Sequence, residues 1–270
     1  MITRFAPSPT GYLHLGHARA AHEAFNFAQR HGGTCLLRIE DIDHTRCRAE
    51  YTPAIYEDLN WLGFQWPKPV RVQSEHIAAY KNIIKQLADK GLAYPCTKSR
   101  ADIKAELSAR DLEVYIRDTR QDLPHADDVN IAWRLSISAC RDYLGKRFDS
   151  LGYHEMNLDG ECVWQVANAA QFGDVIIGRR DIGVSYHIAV THDDAAQQIT
   201  HIVRGQDLKA QTDVHVLLQK LMGWPSPIYH HHPLIMREDG QKLSKREQDP
   251  SIRYKRHSGV TPPQIWQEVL

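Results

Sequence analysis

The sequence lacks any apolar run long enough to cross a bilayer, which takes about 20 residues. No apolar leader with a cleavage pattern precedes Arg4, so we expect no targeting segment. Charge of one sign is not in excess either, because 33 Lys and Arg balance 33 Asp and Glu. That balance neither requires nor excludes nucleic acid, since a local basic face can be offset elsewhere. Together these absences predict a cytoplasmic protein with no membrane partner.

Cysteine pairs are also missing. The five cysteines are odd in number, widely spaced and contain no C-x-x-C pair. This pattern favours reduced thiols over a disulfide framework. Internal repeats, low-complexity tracts and heptads are absent too, which excludes solenoids and coiled coils. The 270 residues suffice for one large or two modest domains with a core.

The N-terminal 39 residues predict a βαβ unit. A short strand over residues 2–5 ends at Pro7 and Pro9, which cannot donate to a sheet ladder. A helical period begins at Gly16, and a buried strand follows over residues 34–39. The apolar face of the helix consists of Ala18, Ala21, Phe25 and Ala28.

Two groups of polar residues flank this unit. His14 and His17 lie at the predicted start of the helix, where backbone N–H groups and the dipole attract anions. Glu40, Asp41 and Asp43 follow the second strand, at the sheet edge where ligands bind in open α/β folds. From the residues alone, these carboxylates could hold a metal, accept an ammonium group or simply be solvated, and solvation is the favoured interpretation.

The rest of the chain predicts further helices and strands. Helical spacing appears around residues 55–62 and 77–87, and Gly91 fits the end of the second helix. From Tyr94 the amino-acid composition becomes more polar, and alternating strands follow. This change predicts an inserted subdomain of mixed or antiparallel strands over residues 94–175. Strands are expected within it at residues 131–137 and 162–166, with a short helix around Ile103 and Leu107.

Beyond the insert, the apolar runs again predict strands, at residues 185–191, 199–205 and 227–236. Asp207 could cap a helix whose apolar face is Val214, Leu217, Leu218 and Leu221. A basic segment with Lys242, Lys245 and Arg246 follows the last strand. It is either a solvated loop or a partner for a polyphosphate at the same sheet edge as His14 and His17.

Two motifs resemble the signatures of class I aminoacyl-tRNA synthetases: His14-Leu-Gly-His17 and Lys242-Leu-Ser-Lys-Arg246. The flanking residues 4–11 are similar to the glutamyl subgroup. Further similar segments lie at residues 38–41, 59–63, 73–75, 91–94, 186–190, 201–205 and 233–235.

The resemblance implies an α/β fold: a Rossmann-type parallel-sheet catalytic domain with an inserted mixed α+β subdomain and a short C-terminal helical segment. The implied boundaries are 1–93 and 176–236 for the two catalytic halves, 94–175 for the acceptor-binding-like insert, and 237–270 for the basic loop and terminal helices.

The resemblance also implies activation of L-glutamate by ATP, with Mg²⁺, to give glutamyl-adenylate and pyrophosphate. His14, His17 and Lys245 take the catalytic positions, and Glu40 is the implied partner of the α-ammonium, while Asp41 and Asp43 stay solvated. The implied ATP-binding positions are His14, Gly16, His17, Lys242, Ser244 and Lys245. The implied glutamate-binding positions are Arg4, Phe5, Ala6, Pro7, Ser8, Glu40, Tyr186 and Arg204.

Within this family the sequence is most similar to short members that activate glutamate without tRNA and transfer it to the queuosine base in the anticodon of tRNA(Asp). Because only 24 residues follow Arg246, we expect no anticodon-binding domain. Separately, we expect a monomer. Three alternatives stay open: a catalytic fragment of a glutamyl-tRNA synthetase that charges tRNA(Glu), a non-catalytic synthetase-like binding module, and an adenylyltransferase of the same superfamily. The glutamate-type residues Arg4 and Glu40 speak against the adenylyltransferase.

The sequence departs from the family at its zinc site. The family often holds zinc through a Cys-x-Cys pair with a later tyrosine and cysteine. Cys96 is the lone remnant of the pair, because Lys98 takes the second position, and no cysteine follows Tyr115 until Cys140. One thiolate does not close a tetrahedral site, so we predict that zinc is absent.

Overall fold

The chain opens with the predicted βαβ unit. The computed structural model describes residues 1–118, 131–157, 160–234 and 250–270. The first elements are β1 (Ile2–Phe5), α1 (Leu15–Arg30) and β2 (Thr34–Ile39). β1 pairs with β2 in parallel, with Ile2 opposite Thr34. Gly33 allows this return, because a Cβ on it would lie 2.6 Å from the Met1 carbonyl oxygen.

Two helices and a short strand follow. They are α2 (Tyr51–Trp61), β3 (Arg71–Val72) and α3 (Ile77–Asp89), with a turn of 3₁₀ helix (Gln73–His76) before α3. β3 pairs in parallel with β2, which gives the order β1-β2-β3. Gly91 follows α3 with a φ of +70°, the left-handed conformation that glycine adopts readily after a helix.

The next elements alternate between strands and helices. They are β4 (Ala93–Cys96), α4 (Arg100–Arg110), β5 (Ala132–Leu135), α5 (Ile137–Leu144), α6 (Lys146–Asp149), β6 (Gly152–Met156), β7 (Cys162–Val166) and β8 (Ile176–Gly178). β4, β5 and β8 form an antiparallel sheet. The strand predicted over residues 131–137 ends early, at Leu135, because Ser136 caps α5 by accepting a hydrogen bond from the Ala139 backbone N–H at 3.3 Å.

The strand predicted over residues 185–191 is wrong, because this segment is helical. The remaining elements are α7 (Tyr186–Ala196), β9 (His201–Gly205), α8 (Thr212–Met222), β10 (Ile228–His232), α9 (Ile252–His257) and α10 (Pro262–Val269). α7 packs between α3, α8 and β8 and buries Ile188, Ala189 and Val190. A helix that is buried on several sides has no polar face, so its sequence carries no helical period.

The prediction that Asp207 caps the next helix is also wrong. Asp207 lies in a 3₁₀ turn (Gln206–Leu208), and α8 begins later, with Gln211 at the cap position. The predicted apolar face of α8 is confirmed. Its buried residues include Val214, Leu217, Leu218 and Leu221.

A second sheet lies beside β1, in the order β7-β6-β10-β9. β10 is parallel to both of its neighbours, and β7 is an antiparallel edge strand. β9 runs alongside β1 in the same direction: the Thr200 N–H donates to the Ile2 carbonyl oxygen at 3.0 Å, and further along Arg4 reaches Val203. The carboxyl ends of β1, β2, β9 and β10 therefore meet at one edge, and the predicted parallel α/β class is confirmed.

The β6–β7 hairpin belongs by sequence to the predicted insert, yet it extends the parallel sheet through β10, where Glu155 lies opposite Tyr229. β8, by contrast, completes the antiparallel sheet of the insert. Strands of the predicted insert thus pair in the catalytic sheet, and a strand of the predicted catalytic half pairs in the sheet of the insert. The division into four segments that the resemblance implies stays a prediction.

The C-terminal helices pack against the N-terminal unit. The Ile252 N–H donates to the Leu13 carbonyl oxygen at 2.7 Å, and the Arg19 guanidinium donates to the Val269 carbonyl oxygen at 2.6 Å. Ile252 and Ile265 enter the same buried cluster as the apolar face of α1. Over the described part of the chain, no helix is long and apolar enough to span a membrane.

Candidate active site

A cavity of about 600 Å³ opens where β1, β2 and β9 end. Arg4 comes from β1, Glu40 follows β2, Tyr186 begins α7 and Arg204 lies on β9. All of the residues predicted to bind glutamate line this cavity: Arg4, Phe5, Ala6, Pro7, Ser8, Glu40, Tyr186 and Arg204. The fold therefore brings together residues that lie up to 200 positions apart in the chain.

The start of α1 borders the cavity, with His17 among its lining residues. His14 is the cap residue of α1: its Nδ1 accepts from the Gly16 N–H at 3.1 Å, and the His17 Nδ1 accepts from the His14 N–H at 3.2 Å. The two ring centroids are 3.9 Å apart. A neutral imidazole that accepts at Nδ1 carries its proton on Nε2, so both rings are set as Nε2–H donors.

Three predicted ATP-binding residues, His14, Gly16 and His17, therefore lie together at a helix N-terminus that is suited to phosphate. The other three, Lys242, Ser244 and Lys245, lie outside the described residues.

A buried ion-pair network supports Arg4 and Glu40. Asp194 accepts from the Arg4 Nε at 3.0 Å and from the Arg38 Nη1 at 2.8 Å. The Arg38 Nη2 in turn donates to Glu40 at 3.0 Å, and the Arg38 side chain has no exposed surface. Arg38 thus fixes Glu40 directly and Arg4 through the shared Asp194.

Burial and charge act against each other in this network. Burial by itself lowers the pKa of Arg38, but Asp194 and Glu40 outweigh it and raise that pKa. Burial also acts to raise the pKa of Asp194, yet Arg4 and Arg38 hold it below its usual value. The pKa of Glu40 is raised because burial exceeds the opposing effect of Arg38 and Arg4. A cation that enters the cavity beside Glu40 would therefore stabilise its ionised form.

Sequence reasoning missed Arg38 and the two carboxylates of α7, Asp193 and Asp194. Asp193 is fully buried and accepts from the Tyr80 hydroxyl at 2.8 Å and from Arg71 at 2.8 Å. It anchors α7 to α3 and β3, which places Tyr186 and Asp194. The available signal was a charged residue inside an apolar run, both at position 38 and at positions 193–194.

Arg204 is held in a different way. Its Nε donates to the His231 Nε2 at 3.3 Å, its Nη1 to the His215 Nδ1 at 3.3 Å and its Nη2 to the Thr212 hydroxyl at 2.6 Å. The guanidinium also stacks 5.3 Å from the centre of the Tyr229 ring. His231 lies on β10, in the run His230-His231-His232, and it thus contacts a residue of the cavity.

The other carboxylates after β2 have protein partners. Asp41 accepts from the backbone N–H and the hydroxyl of Ser74 at 2.8 and 2.7 Å. Asp43 pairs with Arg46 at 2.8 Å and with Arg179 at 3.0 Å. Burial acts to raise the pKa of Asp43, but its hydrogen bonds hold it well below the usual value. Both carboxylates are thus bonded within the protein, whereas the interpretation from sequence left them solvated.

The remnant of the zinc site does not fit a metal. Lys98 lies where a second thiolate would stand: its ammonium donates to Glu106 at 2.5 Å and lies 5.3 Å from the centre of the Tyr115 ring. Cys96 is buried nearby. Across the described ranges, no group of three or more His, Cys, Asp or Glu residues is arranged for a metal ion. The ammonium group of Lys98 thus occupies part of the region where the family holds zinc.

Chemically, the cavity offers the guanidinium groups of Arg4 and Arg204, the carboxylate of Glu40 and the phenol of Tyr186, beside a helix start that carries two imidazole donors. Arg46 and Asp207 also line the cavity, and Arg46 pairs with Asp43. Such a set suits a small molecule with two anionic groups and one cationic group, next to a phosphate chain.

Comparison with known proteins agrees with this geometry. Residues 1–268 match the family described as tRNA synthetases class I (E and Q), catalytic domain. The chain is 40% identical to a glutamyl-Q tRNA(Asp) synthetase of Rhodobacter capsulatus, and the match covers 98% of both chains. It is 35% identical to a glutamate–tRNA ligase of Hydrogenobaculum, over 98% of this chain and 56% of the relative.

Solved structures show the same relationship. A crystal structure of a glutamate tRNA ligase from Elizabethkingia meningosepticum, in complex with its amino acid, superposes with a TM-score of 0.71 at 27% identity. The match covers 96% of this chain and 53% of that one, so the chain spans about half the length of the glutamate–tRNA ligases that it matches. The chain therefore belongs to the class I tRNA synthetases of the E and Q type, and it is a ligase related to glutamyl-Q tRNA(Asp) synthetase.

Proposed function

We propose that this chain activates L-glutamate with ATP in the absence of tRNA and transfers it to the queuosine base in the anticodon of tRNA(Asp). The observation that carries the proposal is the cavity itself, in which Arg4, Glu40, Tyr186 and Arg204 converge beside His17. The 40% identity to a glutamyl-Q tRNA(Asp) synthetase, over nearly all of both chains, supports the choice of acceptor.

Glutamate is bound through its three charged groups. Glu40 is the acceptor for the α-ammonium. Arg4 is linked to Glu40 through Asp194 and Arg38, and we assign it to the neighbouring α-carboxylate. Of the other two guanidinium groups that line the cavity, Arg46 already pairs with Asp43, so Arg204 takes the side-chain carboxylate. Tyr186 lines the same cavity as Glu40, Arg4 and Arg204.

In the first step, an α-carboxylate oxygen attacks the α-phosphorus of ATP. A new P–O bond forms, the P–O bond to the β-phosphate breaks, and pyrophosphate leaves with its electron pair. His14 and His17 donate from Nε2 to phosphate oxygens at the start of α1, and this stabilises the charge that develops. Mg²⁺ bound with ATP supplies further charge neutralisation. From the sequence, Lys242, Ser244 and Lys245 are assigned to the same phosphates.

In the second step, a nucleophilic group of the queuosine base attacks the glutamyl carbonyl carbon, and AMP leaves. The test is transfer of labelled glutamate to three RNAs: tRNA(Asp) with queuosine, tRNA(Asp) without it, and tRNA(Glu). The proposal expects label only on the first RNA. Label on both forms of tRNA(Asp), or on neither, contradicts queuosine as the acceptor.

A second candidate is a glutamate–tRNA ligase activity, which is favoured by the 35% identity over nearly all of this chain. It shares the first step but charges tRNA(Glu), so label on that RNA alone selects it. A non-catalytic module would label none of the three RNAs and would not form glutamyl-adenylate.

A further inference from the structure

The guanidinium of Arg204 is held without a carboxylate. Its three hydrogen-bond acceptors are the His231 Nε2, the His215 Nδ1 and the Thr212 hydroxyl, at 3.3, 3.3 and 2.6 Å. Among the described residues, no aspartate or glutamate forms an ion pair with it. Arg204 is only 6% exposed, so water contributes little to balancing its charge.

The hydrogen-bond geometry requires both histidines to be neutral. A ring nitrogen that accepts from a guanidinium carries no proton. His231 accepts at Nε2 and uses Nδ1 toward Glu155 at 2.8 Å, while His215 accepts at Nδ1 and uses Nε2 toward the His187 Nδ1 at 3.1 Å. Burial favours the neutral form of both rings. It is the largest cause that lowers the pKa of His231, to about 4, and it also lowers the pKa of His215.

Through His231, Arg204 is linked to the carboxylate of Glu155, and Lys209 pairs with Glu155 at 2.7 Å. The negative charge of Glu155 is thus offset by a lysine on the outer side of the network. Within the described part of the chain, Asp207 lines the same cavity but forms no ion pair with Arg204. Arg4 differs, because Asp194 contacts it directly at 3.0 Å. The arginines that line the cavity therefore differ in net charge: Arg4 pairs with Asp194 and Arg46 with Asp43, whereas Arg204 forms no ion pair with a described carboxylate.

We propose that Thr212, His215 and His231 are specificity-determining positions, which orient Arg204 without neutralising it and so make the cavity select a side-chain carboxylate over a carboxamide. This inference rests on the proposed function, because it takes Arg204 as the partner of the substrate's side chain. An uncompensated buried guanidinium gains strongly from an anion and little from a neutral amide. Glutamine is then rejected although it has nearly the same shape as glutamate.

The test places a carboxylate beside Arg204 with little change in shape. Thr212→Asp adds a charge at a fully buried position that already contacts the guanidinium, and Thr212→Asn is the matched variant without the charge. Position 212 is the first residue of α8, where the helix dipole tolerates a carboxylate. Steady-state kinetics are measured for glutamate, glutamine and ATP, and circular dichroism reports folding.

We expect T212D to raise KM for glutamate by about tenfold or more relative to T212N, which corresponds to about 1.4 kcal/mol. The kcat for saturating glutamate and KM for ATP should differ between the variants by no more than about twofold. The preference for glutamate over glutamine should shrink in T212D by about the same factor as KM rises. Equal KM values and equal preference in the two variants contradict the inference.

Two further outcomes are defined. If T212D does not fold, the pair H215E and H215Q makes the same comparison at the Nη1 contact. Wild-type enzyme provides a test that needs no variant: comparable kcat/KM for glutamine and glutamate overturns the inference. A wild-type protein that activates neither amino acid overturns the proposed function instead, so the two failures are distinguishable.

Discussion

At the scale of single residues, the carboxylates near the cavity differ in how many hydrogen-bond donors of the protein contact them. The side chain of Glu40 is 10% exposed and has a guanidinium on one side and the cavity on the other. The oxygens of Asp43, by contrast, accept from a hydroxyl and two guanidinium groups of the protein itself. A carboxylate that is saturated by protein donors has little left for a ligand. Glu40 and Asp43 should therefore respond differently to removal.

Replacing Glu40 with alanine should abolish glutamate-dependent ATP–pyrophosphate exchange, because the α-ammonium loses its acceptor. Replacing Asp43 with alanine should lower Tm and leave most of the exchange activity, because its partners are structural. Exchange rates and thermal melts of both variants check this. Equal losses of exchange in the two variants would sink the assignment of Glu40.

Asp194→Asn should destabilise the protein by about 3–5 kcal/mol, because Arg4 and Arg38 are buried and would lose their shared carboxylate. Asp89→Asn is the matched control: Asp89 pairs with Lys85 on the exposed face of α3, and its loss should cost at most about 1 kcal/mol. Urea unfolding measures both values. A D194N variant as stable as D89N would show that the buried network contributes little.

The ion-pair network also shows what the sequence can tell about a residue. A charge within the apolar run of residues 34–39 indicates that Arg38 is buried and paired. Its partner Asp194 lies 156 positions away and can be identified only from the fold. The cavity residues Arg4, Glu40 and Arg204 were predictable through motifs. The residues that hold Arg204 were not: they are Thr212, His215 and His231.

Elements with one buried face were predicted well, because their hydrophobic period is visible. α1, α3 and the βαβ unit are of this kind. α7 was missed because it is packed on several sides and reads as an apolar run, which a strand explains equally well. The early end of β5 depended on a local hydrogen bond, the cap that Ser136 supplies to α5. Tertiary burial thus accounts for the error at α7, and local capping accounts for the error at β5.

At the base of the insert, the Lys98–Glu106 pair lies within the remnant of the zinc site. Protein expressed with added zinc should contain less than about 0.1 equivalents after purification, because one thiolate cannot complete a tetrahedral site. Chelator should leave Tm unchanged. Metal analysis near one equivalent, or a chelator-dependent Tm, contradicts this prediction.

At the scale of the whole molecule, the parallel arrangement creates the site. The carboxyl ends of β1 and β2, from the start of the chain, and of β9 and β10, from later in the chain, lie at one sheet edge. The N-terminus of α1 and the amino-acid cavity lie at the same edge. The class I synthetase ligase indicated by the two motifs is confirmed by the family match over residues 1–268. The roles of the individual site residues stay predictions, to be tested by the variants above.

The whole protein should lose stability as the pH falls from 7 to 5. Burial lowers the pKa of His187 and His231 to about 4, whereas in an unfolded chain histidine titrates near about 6.5. Between these values the unfolded state binds more protons, so stability rises with pH, by up to about 1.4 kcal/mol per pH unit for each histidine. His215 acts in the same direction.

Asp58 opposes this trend. Burial raises its pKa to about 6, so the folded state holds the extra proton in that range. The raised pKa values of Glu40 and Asp213 act in the same direction as that of Asp58. Against these three carboxyl groups stand six histidines whose pKa burial lowers, so the urea midpoint should be lower at pH 5 than at pH 7. They are His22, His187, His201, His215, His231 and His232. A midpoint that is constant or higher at pH 5 contradicts the neutral state of the histidines in the folded protein.

The central claim is that this chain forms glutamyl-adenylate by itself. The most direct measurement is glutamate-dependent ATP–pyrophosphate exchange by nuclease-treated protein with no RNA added. The account predicts sustained exchange at a rate that added tRNA(Asp) or tRNA(Glu) changes by no more than about twofold. Exchange that is absent until tRNA is supplied, or that glutamine supports as well as glutamate, would contradict it.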